Sequence, residues 1–396
     1  MNARVVSPAG KGFVFLDAHP AGCAATVDRM WRDVPAGPVP AGSRPTALVV
    51  GCSAGYGLAA TIAGLARYGI RGVGVCLEKP PTPRRTATAG WYRVAATAEL
   101  AGDDFVFVNG DAFSDQTKEQ VTKLLAERFG PVDHLIYSVA APRRTDPDTG
   151  ETYASVLKPL GAVHTTKTLV FDDGIPVVKT VTSEPATEEE TAQTVAVMGG
   201  ADWRRWLRHL SAADLLADGV TTAALTYIGS PLTSGIYRAG TIGAAKADLE
   251  ATARELHAQL AARGGRAVTS VNGAAVTQSS TAIPGIALYV GLLRAVLGGA
   301  MVSPTAQLVQ LWDQLVGAAE LTTDDAARVR LDTWELEPTV QAAIGERWRD
   351  ATSETIAGLA DVDWFAGEVR RLYGFDVPGV DYSLPVETEI PWPATS

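Results

Sequence analysis

Residues 47–78 read ALVVGCSAGYGLAATIAGLARYGIRGVGVCLE, and this stretch decides the fold class. A short apolar segment, Ala47–Gly51, runs into a glycine-rich turn, Gly51–Gly57, and apolar residues then continue to Tyr68. A second apolar segment, Arg71–Glu78, ends on an acidic residue. Strand, glycine turn, helix, strand and acid in this order are typical of a doubly wound parallel sheet. We therefore predict an α/β fold whose sheet begins here.

The glycine turn stands in the context in which such turns bind dinucleotides. Glycines let backbone N–H groups at a helix N-terminus approach a pyrophosphate, and an acid at the end of the next strand accepts hydrogen bonds from ribose hydroxyls. Glu78 takes that position and disfavours a 2′-phosphate, so the pattern favours NADH over NADPH. Lys79, Arg84 and Arg85 follow closely and weaken this preference. The alternative is a tight turn with only a structural role.

The parallel rhythm continues through two more predicted strands. Asp104–Asn109 leads to Asp111, whose carboxylate either meets the adenine amine or caps the helix that follows. The strand His134–Val139 runs into Ala140, and small residues at the carboxyl end of a central strand are where a nicotinamide ring lies. The basic pair Arg143–Arg144 either holds an acidic substrate group or is solvated surface.

Insertions then interrupt the rhythm. Threonines alternate with apolar residues over Gly150–Asp173, which predicts a β-hairpin. The acids of Pro185–Glu190 begin a helix, favour its dipole and are assigned a structural role. We expect the sheet to resume at Thr222–Tyr227 and Ala267–Val271. The apolar segment Ile283–Val302 is predicted to be a buried helix and a wall for an apolar substrate.

The chain divides by composition into three predicted parts. Residues 1–45 form an N-terminal extension packed on the core and end in a Pro/Gly-rich link, Val34–Pro45. Residues 46–310 form a Rossmann-type, short-chain-dehydrogenase-like domain that binds the cofactor and carries the catalytic residues and pocket insertions. Residues 311–396 form a C-terminal helical extension.

A second stretch, TYIGSPLTSGIYRAGTIGAAKADLE at residues 226–250, carries the residue types of a proton-donor pair. Tyr227 and Tyr237 are followed by Lys246, and a phenol beside an ammonium is a proton donor when both reach a nicotinamide. We expect the ammonium to lower the pKa of the phenol from its ordinary value of about 10. The alternative is a buried aromatic side chain and a solvated lysine.

The spacing of Tyr237 and Lys246 predicts local geometry. They are nine positions apart, which on one continuous helix would place them on opposite sides, at about 100° per residue. The tyrosine should therefore precede the helix that carries the lysine, with Gly240 breaking the helix and Thr241 capping it. An ordinary short-chain dehydrogenase acting on a ketone or alcohol is a rival, but it usually spaces the two residues four positions apart.

The composition excludes several classes of function. The 396 residues carry a formal net charge of −10, which argues against general affinity for nucleic acid or an anionic membrane. Hydrophobic residues make up 46% of the chain and the start lacks a secretory signal, so we expect a cytoplasmic protein with a large core. The 3 cysteines are too few for a disulfide scaffold, and the 5 histidines show no metal-site spacing.

The chain contains, in order over nearly its whole length, the blocks GCSAGYGLA, EKPPTPRRTATAGWY, NGDAFSD, APRRTDPDTGETYASVLKPLG, VMGGADW, YIGSPLTSGIYRAGTIGAAK, AVTQSSTAIP and GFDVPGVDY. Together they resemble the FabV-type trans-2-enoyl-CoA or enoyl-ACP reductases, and VMGGADW and the Tyr-x8-Lys stretch are specific to that family. The resemblance implies reduction of the trans-2,3 double bond of an enoyl thioester by NADH. It also implies a monomer. A flavin enzyme is a further alternative, but no residue pattern in the sequence demands FAD.

The resemblance implies roles for particular residues. Tyr237 looks like the proton donor, Lys246 its partner and a cofactor contact, and Tyr227 a substrate-binding residue. The hydride passes to the β-carbon, and the two tyrosines divide proton delivery and stabilisation of the enolate in an order that the sequence leaves open. The implied cofactor contacts are Gly51, Cys52, Ser53, Ala54, Gly55, Tyr56, Leu77, Glu78, Asp111, Ala112, Val139, Ala140, Lys246, Ala275, Val276 and Thr277.

Three positions depart from the family pattern. The family usually has a serine where Ala141 stands, a lysine near Gly273, and a methionine- and histidine-containing segment at Gly298–Thr305. The last two flank the implied acyl pocket, so they bear on chain length and on the carrier. A specialised unsaturated thioester in a biosynthetic pathway is one alternative substrate. A noncatalytic NADH-binding regulator on the same scaffold is a second alternative.

Overall fold

The structure, a computed structural model, describes residues 3–36 and 44–394, so part of the predicted link Val34–Pro45 lies outside the described residues. The strands are β1 Ala3–Arg4, β2 Gly10–Lys11, β3 Val14–Phe15, β4 Thr46–Val50, β5 Arg71–Cys76, β6 Phe105–Asn109, β7 Val132–Tyr137, β8 Arg143–Thr145, β9 Thr152–Ala154, β10 His164–Asp172, β11 Ile175–Ser183, β12 Leu216–Thr226, β13 Arg266–Val271, β14 Arg328–Arg330 and β15 Val386–Glu387. The helices are α1 Pro20–Asp33, α2 Gly55–Tyr68, α3 Ala89–Ala101, α4 Asp115–Leu124, α5 Glu188–Met198, α6 Ala201–Ala212, α7 Thr241–Leu260, α8 Ile286–Leu297, α9 Pro304–Leu315, α10 Pro338–Asp350, α11 Ile356–Leu359 and α12 Val362–Arg371.

Within residues 3–36 and 44–394, seven parallel strands form the central sheet, in the order β14, β13, β12, β7, β4, β5, β6. The chain starts the sheet at β4, runs outward to β6, and returns to β7 on the other side of β4 before continuing to β14. The structure is therefore a doubly wound Rossmann-type sheet, which confirms the predicted fold class. Ligands in such sheets bind beyond the carboxyl ends of the strands, where the strand order reverses.

Helices cover both faces of this sheet because its strands are apolar on both sides. All five residues of β4 are buried. Ala47 and Val49 pack in one core with α2 and α9, whereas Leu48 and Val50 pack in the opposite core with α6 and α7. Trp312 of α9 is fully buried, and its indole N–H donates to a carbonyl of α2 at 2.7 Å. This contact fixes α9 to the first helix of the sheet.

Two hairpins stand between β7 and α5, where one was predicted. β8 pairs with β9, and the longer β10 pairs with β11. The predicted hairpin at Gly150–Asp173 therefore ends where the long hairpin turns, and the second strand lies beyond it. Asp173 and Gly174 have φ of 47° and 83°, as a two-residue type I′ turn requires. The Asp-Gly pair between alternating segments is the sequence signal for this turn.

The C-terminal residues are built into the core. The predicted boundary at residue 310 falls inside α9, and β14 adds a strand to the central sheet beside β13. β14 reads Arg-Val-Arg, so no apolar run indicates it in the sequence. Near the two ends of the chain, β1 and β15 pair antiparallel. The division at residues 45 and 310 stays a prediction about folding units, since these contacts describe only packing.

The apolar segment Ile283–Val302 forms a core helix with narrower bounds than predicted. α8 covers Ile286–Leu297, and its residues from Ile286 to Leu293 are buried. In the part of the chain that the structure describes, no single helix is both long and apolar enough to cross a membrane. The segments Ile286–Ala300 and Pro304–Leu315 satisfy length and composition only as a pair bent by 69°.

Candidate active site

The glycine turn packs against neighbouring backbone where the strand order reverses. Gly51 has a φ of +92°, and a Cβ there would lie 2.0 Å from the Ser138 carbonyl oxygen. A Cβ on Gly57 would lie 1.9 Å from the Gly51 carbonyl oxygen, so both positions require glycine. α2 begins at Gly55, and its N-cap, Ala54, supplies no side-chain acceptor. The N–H groups of the first turn are thus oriented for an external anion, which fits a pyrophosphate.

The loop after β13 closes onto the start of α2. A Cβ on Gly55 would lie 3.5 Å from the Thr277 methyl group, and the Tyr56 hydroxyl donates to the Gly273 carbonyl. Val139, half-buried, and Ala140, exposed, follow β7 at the same edge of the sheet. The structure therefore brings together, at one edge, the predicted cofactor residues Gly51, Cys52, Ser53, Ala54, Gly55, Tyr56, Val139, Ala140, Ala275, Val276 and Thr277.

Glu78 is held in place by the chain itself. Its carboxylate accepts from the Ser53 hydroxyl at 2.6 Å and from the Thr88 hydroxyl. A Cβ on Gly90 would lie 2.0 Å from Glu78 Oε1, so α3 approaches the acid closely. Two carboxylate oxygens have about four lone-pair directions, so Glu78 retains acceptor capacity for ribose hydroxyls. Leu77, 69% exposed, stands beside it at the end of β5.

The loop predicted to meet the adenine is fixed by a buried ion pair. The Ser114 side chain caps α4, so the alternative in which Asp111 caps it is wrong. The Ala112 carbonyl accepts from Lys118 Nζ at 2.6 Å. Lys118 also pairs with Asp202 of the VMGGADW block at 2.7 Å, and both side chains are fully buried. Arg144, also buried, donates to a carbonyl of α5 at 2.8 Å and is therefore a structural residue.

Tyr237 precedes the helix that carries Lys246, as the spacing predicts. α7 begins at Thr241, and its N-cap is Gly240. The prediction that Thr241 caps the helix is wrong, because its hydroxyl instead donates to the Val156 carbonyl at 2.5 Å. Arg238, next to Tyr237, donates two hydrogen bonds to Glu250 of α7 at 2.8 and 3.1 Å. These hydrogen bonds attach the turn that contains Tyr237 to α7, the helix that carries Lys246.

The electrostatics of the pair differ from the prediction. Burial, and next the negative charge of Glu335, raise the pKa of Tyr237, whereas the sequence predicted that Lys246 would lower it. Burial lowers the pKa of Lys246 to about 8, against the opposing charge of Glu250. The Tyr237 ring meets the Tyr227 ring edge to face, with centroids 4.9 Å apart. Tyr237 therefore stays a neutral phenol, able to donate its hydrogen, well above neutral pH.

Glu335 is a residue of this site that the sequence did not indicate. It is fully buried, and it accepts from the Tyr227 hydroxyl at 2.7 Å and from the Tyr289 hydroxyl at 2.8 Å. The Ala274 N–H donates to its other oxygen. Burial raises the pKa of Glu335 to about 7, although the hydrogen bonds from the tyrosines oppose this. Glu335 lies in a turn that follows β14, and β14 pairs with β13. This pairing places Glu335 beside Ala274, in the loop that follows β13.

An apolar wall surrounds the two tyrosines. Tyr237 belongs to a buried cluster with the residues of α8, Ile236 and Ala274, against which Met198, Leu232 and Val276 pack. The long hairpin joins this wall: Leu169 of β10 is fully buried in it. α8 thus presents an apolar surface beside the two tyrosines, as the prediction of a wall for an apolar substrate requires.

Two of the three departures from the family pattern, Gly273 and the segment Gly298–Thr305, lie beside this wall. A Cβ on Gly273 would lie 2.4 Å from the Trp334 indole, so Trp334 fills the space that a side chain at 273 would need. The segment Gly298–Thr305 forms a short 3₁₀ turn and the first turn of α9, which the Ser303 side chain caps. Ala141 is half-buried after β7.

Comparison with known proteins gives the family. Residues 85–316 match the sequence model of the trans-2-enoyl-CoA reductase catalytic region, and residues 5–83 match that of the NAD(P)H binding domain of trans-2-enoyl-CoA reductase. The chain belongs to the trans-2-enoyl-CoA reductase family. This confirms the family predicted from the sequence blocks. Residues 323–386 of this reductase chain also match a model described as an enoyl reductase FAD binding domain.

Relatives of the reductase match it along nearly its whole length. The enoyl-[acyl-carrier-protein] reductase [NADH] of Streptomyces avermitilis is 61% identical over 98% of this chain and 100% of its own. That of Flavobacterium johnsoniae is 42% identical over 96% of each. The crystal structure of Treponema denticola trans-2-enoyl-CoA reductase in complex with NAD superposes with a TM-score of 0.90, at 38% identity and 98% coverage of both chains.

Proposed function

We infer that the chain reduces the trans-2,3 double bond of an enoyl thioester with NADH. The observation that supports this most is the contact between Tyr237, which is buried, and Tyr227, which is half-buried, beside the loop Ala274–Thr277 and under the apolar wall of α8. Family membership supports the same reaction, since relatives carry both the enoyl thioester and NADH in their names. A second function is not needed to explain the site.

The nicotinamide cofactor fits the glycine turn and its surroundings. The N–H groups at the start of α2 would hold the pyrophosphate, and Glu78 the ribose hydroxyls of the adenosine. The negative charge of Glu78 favours NADH over NADPH, because a 2′-phosphate would be repelled. When bound there, NADH supplies the hydride that adds to the β-carbon of the substrate.

Hydride addition leaves negative charge on the thioester oxygen and requires a proton at the α-carbon. We assign proton donation to Tyr237, whose raised pKa keeps it a neutral phenol. We assign Tyr227 to the thioester oxygen, as a hydrogen-bond donor that binds the substrate and the enolate. Lys246, mostly protonated at neutral pH because its pKa is about 8, provides the positive charge on the cofactor side. Tyr237 thus serves the α-carbon and Tyr227 the thioester oxygen, so each of the two reacting atoms has its own donor.

The carrier and the setting are part of the proposal. The names of the relatives include both acyl carrier protein and coenzyme A, and we propose that thioesters of both are substrates. We further propose that the protein is a monomer. We also propose that it lies in the cytoplasm, which the buried free thiols of Cys23, Cys52 and Cys76 support. Gel filtration with light scattering tests the monomer.

FAD is not required by this proposal, because NADH can donate the hydride directly to the double bond. Residues 323–386 match a domain named for FAD, yet in this chain they supply β14, Glu335 and α10, which form one side of the tyrosine site. The visible absorption spectrum of the purified protein tests this. A flavin absorption band that persists through gel filtration would indicate instead that residues 323–386 bind FAD.

The test of the function is NADH oxidation with crotonyl-CoA and with a longer trans-2-enoyl-CoA, beside a Tyr237→Phe variant. We expect turnover in the wild type and a loss of about 10²- to 10⁴-fold in the variant, since the proton donor is gone. NADH affinity should stay within about twofold, because the ring remains. Loss of NADH binding in the variant would remove Tyr237 from the proton-donor role.

A further inference from the structure

The carboxyl group of Glu335 lies behind the tyrosine pair and is stabilised by neutral groups. Its three donors are the hydroxyls of Tyr227 and Tyr289 and the N–H of Ala274, and none of them is a cation. A buried carboxylate without a cation is costly, so the neutral, protonated form is accessible to it.

The hydrogen-bond pattern decides which oxygen carries the proton. Oε2 accepts from the N–H of Ala274, which can only donate, so the proton belongs on Oε1. Oε1 faces the phenol oxygens of Tyr227 and Tyr289. The Tyr289 oxygen already accepts from Gln341 Nε2 at 3.0 Å, which leaves the Tyr227 oxygen as the acceptor for a protonated Oε1.

A phenol has one hydrogen, so the state of Glu335 sets what Tyr227 can do with it. When Glu335 is ionised, the Tyr227 hydrogen is used on Oε1. When Glu335 is protonated, Oε1 donates to the Tyr227 oxygen, and the Tyr227 hydrogen is free to turn to another acceptor. The Tyr227 ring contacts the ring of Tyr237, so this hydrogen is released beside the proposed proton donor.

We propose that Glu335 is a positioning residue: in its protonated form it directs the Tyr227 hydroxyl toward the thioester oxygen of the substrate. The proposal rests on the enoyl reduction proposed above and deepens it. The carboxyl proton stays on Glu335 throughout, and the only change is the direction of one hydrogen bond. The proton that reaches the product still comes from Tyr237.

The tyrosines around Glu335 stay uncharged near neutral pH. Burial is the largest cause that raises the pKa of each tyrosine facing it, from α2, α8 and the chain after β12: Tyr56, Tyr227, Tyr237 and Tyr289. Asp332, on the same segment as Glu335, is paired with Arg330 at 2.8 Å. Glu335, with its pKa raised to about 7 by burial, changes charge near neutral pH, whereas these tyrosines do not.

Glu335→Gln tests the proposal, because the amide N–H donates to the Tyr227 oxygen at every pH, as the protonated acid does. kcat/KM for crotonyl-CoA is measured at saturating NADH from about pH 6 to about pH 9. We expect the variant to lie within about threefold of wild type at the acidic end. The ratio of variant to wild type should then rise about tenfold per pH unit above the Glu335 pKa. Any contribution of Lys246 is common to both enzymes and cancels in the ratio.

The matched control is Glu337→Gln, which removes the same charge from an exposed position two residues away. It should follow the wild-type profile. A ratio for Glu335→Gln that does not change with pH, including uniform loss of activity, overturns the proposal and leaves Glu335 a structural residue. Absence of wild-type turnover with either acyl carrier protein or coenzyme A thioesters counts instead against the proposed function.

A spectroscopic measurement tests the hydrogen bond without turnover. Infrared difference spectra across the same pH range should show a protonated carboxyl C=O stretch that is absent in Glu335→Gln. If the proton on Oε1 donates to Tyr227, this band shifts more in Tyr227→Phe than in Tyr289→Phe. The reverse order, or no carboxyl band near neutral pH, overturns the proposal.

Discussion

One added carbon atom at Gly57 should break the cofactor site. A Cβ there would lie 1.9 Å from the Gly51 carbonyl oxygen, and backbone cannot move aside as a flexible side chain does. We expect Gly57→Ala to destabilise the fold by about 2 kcal/mol or more and to abolish NADH binding. Urea unfolding and NADH fluorescence measure these effects.

The matched control is Gly345→Ala in α10, where a Cβ would meet nothing within 4 Å. It should stabilise the protein by about 0.5–1 kcal/mol, since alanine loses less backbone entropy in a helix. Normal NADH affinity in Gly57→Ala would contradict the close approach at the turn.

The residues of the site were predictable from sequence to different degrees. The glycine turn and the pair Tyr237 and Lys246 follow from residue types at fixed spacing, because each is local. The environment of Tyr237 is not local: Glu335 lies 98 positions away in the sequence and reaches the tyrosines only through β14. The sequence therefore predicted correctly that Tyr237 precedes the helix of Lys246. It predicted the wrong direction for the pKa of Tyr237.

At the scale of elements, strands with long apolar runs were predicted and short or charged ones were not. Runs of mostly apolar residues indicate β4, β5 and β13 in the sequence, and these strands are buried. In contrast, β14 has one apolar residue between two arginines. Its position is specified by the exposed edge of β13, not by its own composition. The prediction covered the first strand of the long hairpin and ended at its turn. The Asp-Gly pair at that turn is the sequence signal that indicates a second strand after it.

The long hairpin is attached to the apolar wall by Lys167. Its Nζ donates to the carbonyls of Trp348, Arg349 and Ala351, where α10 ends, at 2.8–2.9 Å. A cation there satisfies open carbonyls and the helix dipole, so Lys167→Met should cost about 1–2 kcal/mol. Hydrogen exchange of β10 and β11 should increase. Lys179→Met, exposed on β11, is the control; equal exchange in both variants would argue against the attachment.

At the scale of the whole molecule, pH acts on stability through His134 at the centre of the sheet. Its ring lies edge-on to Trp312 of α9, with centroids 5.4 Å apart. Burial lowers the pKa of His134 from 6.5 to about 4, so between these values the unfolded chain binds the extra proton. Stability present above about pH 6.5 is therefore lost as the pH falls toward about 4.

By about pH 5 the contribution of His134 to this loss should reach about 2 kcal/mol, whereas Glu335, whose pKa burial raises to about 7, contributes in the opposite direction over the same range. The measurement is the free energy of unfolding in urea at about pH 7.5 minus that at about pH 5, compared between wild type and a His134 variant. His134→Asn should reduce that difference even though the variant is less stable at both values. An unchanged difference in the variant would assign the acid loss to other groups.

The contact of Gly273 with Trp334 has an evolutionary consequence. The two positions lie 61 residues apart, yet the indole occupies the space of any side chain at 273. A larger residue fits at 273 only where a smaller residue has replaced the tryptophan at 334. The substitution at 334 must therefore come first. Across homologous sequences the two columns should therefore covary, with glycine and tryptophan gained or lost together.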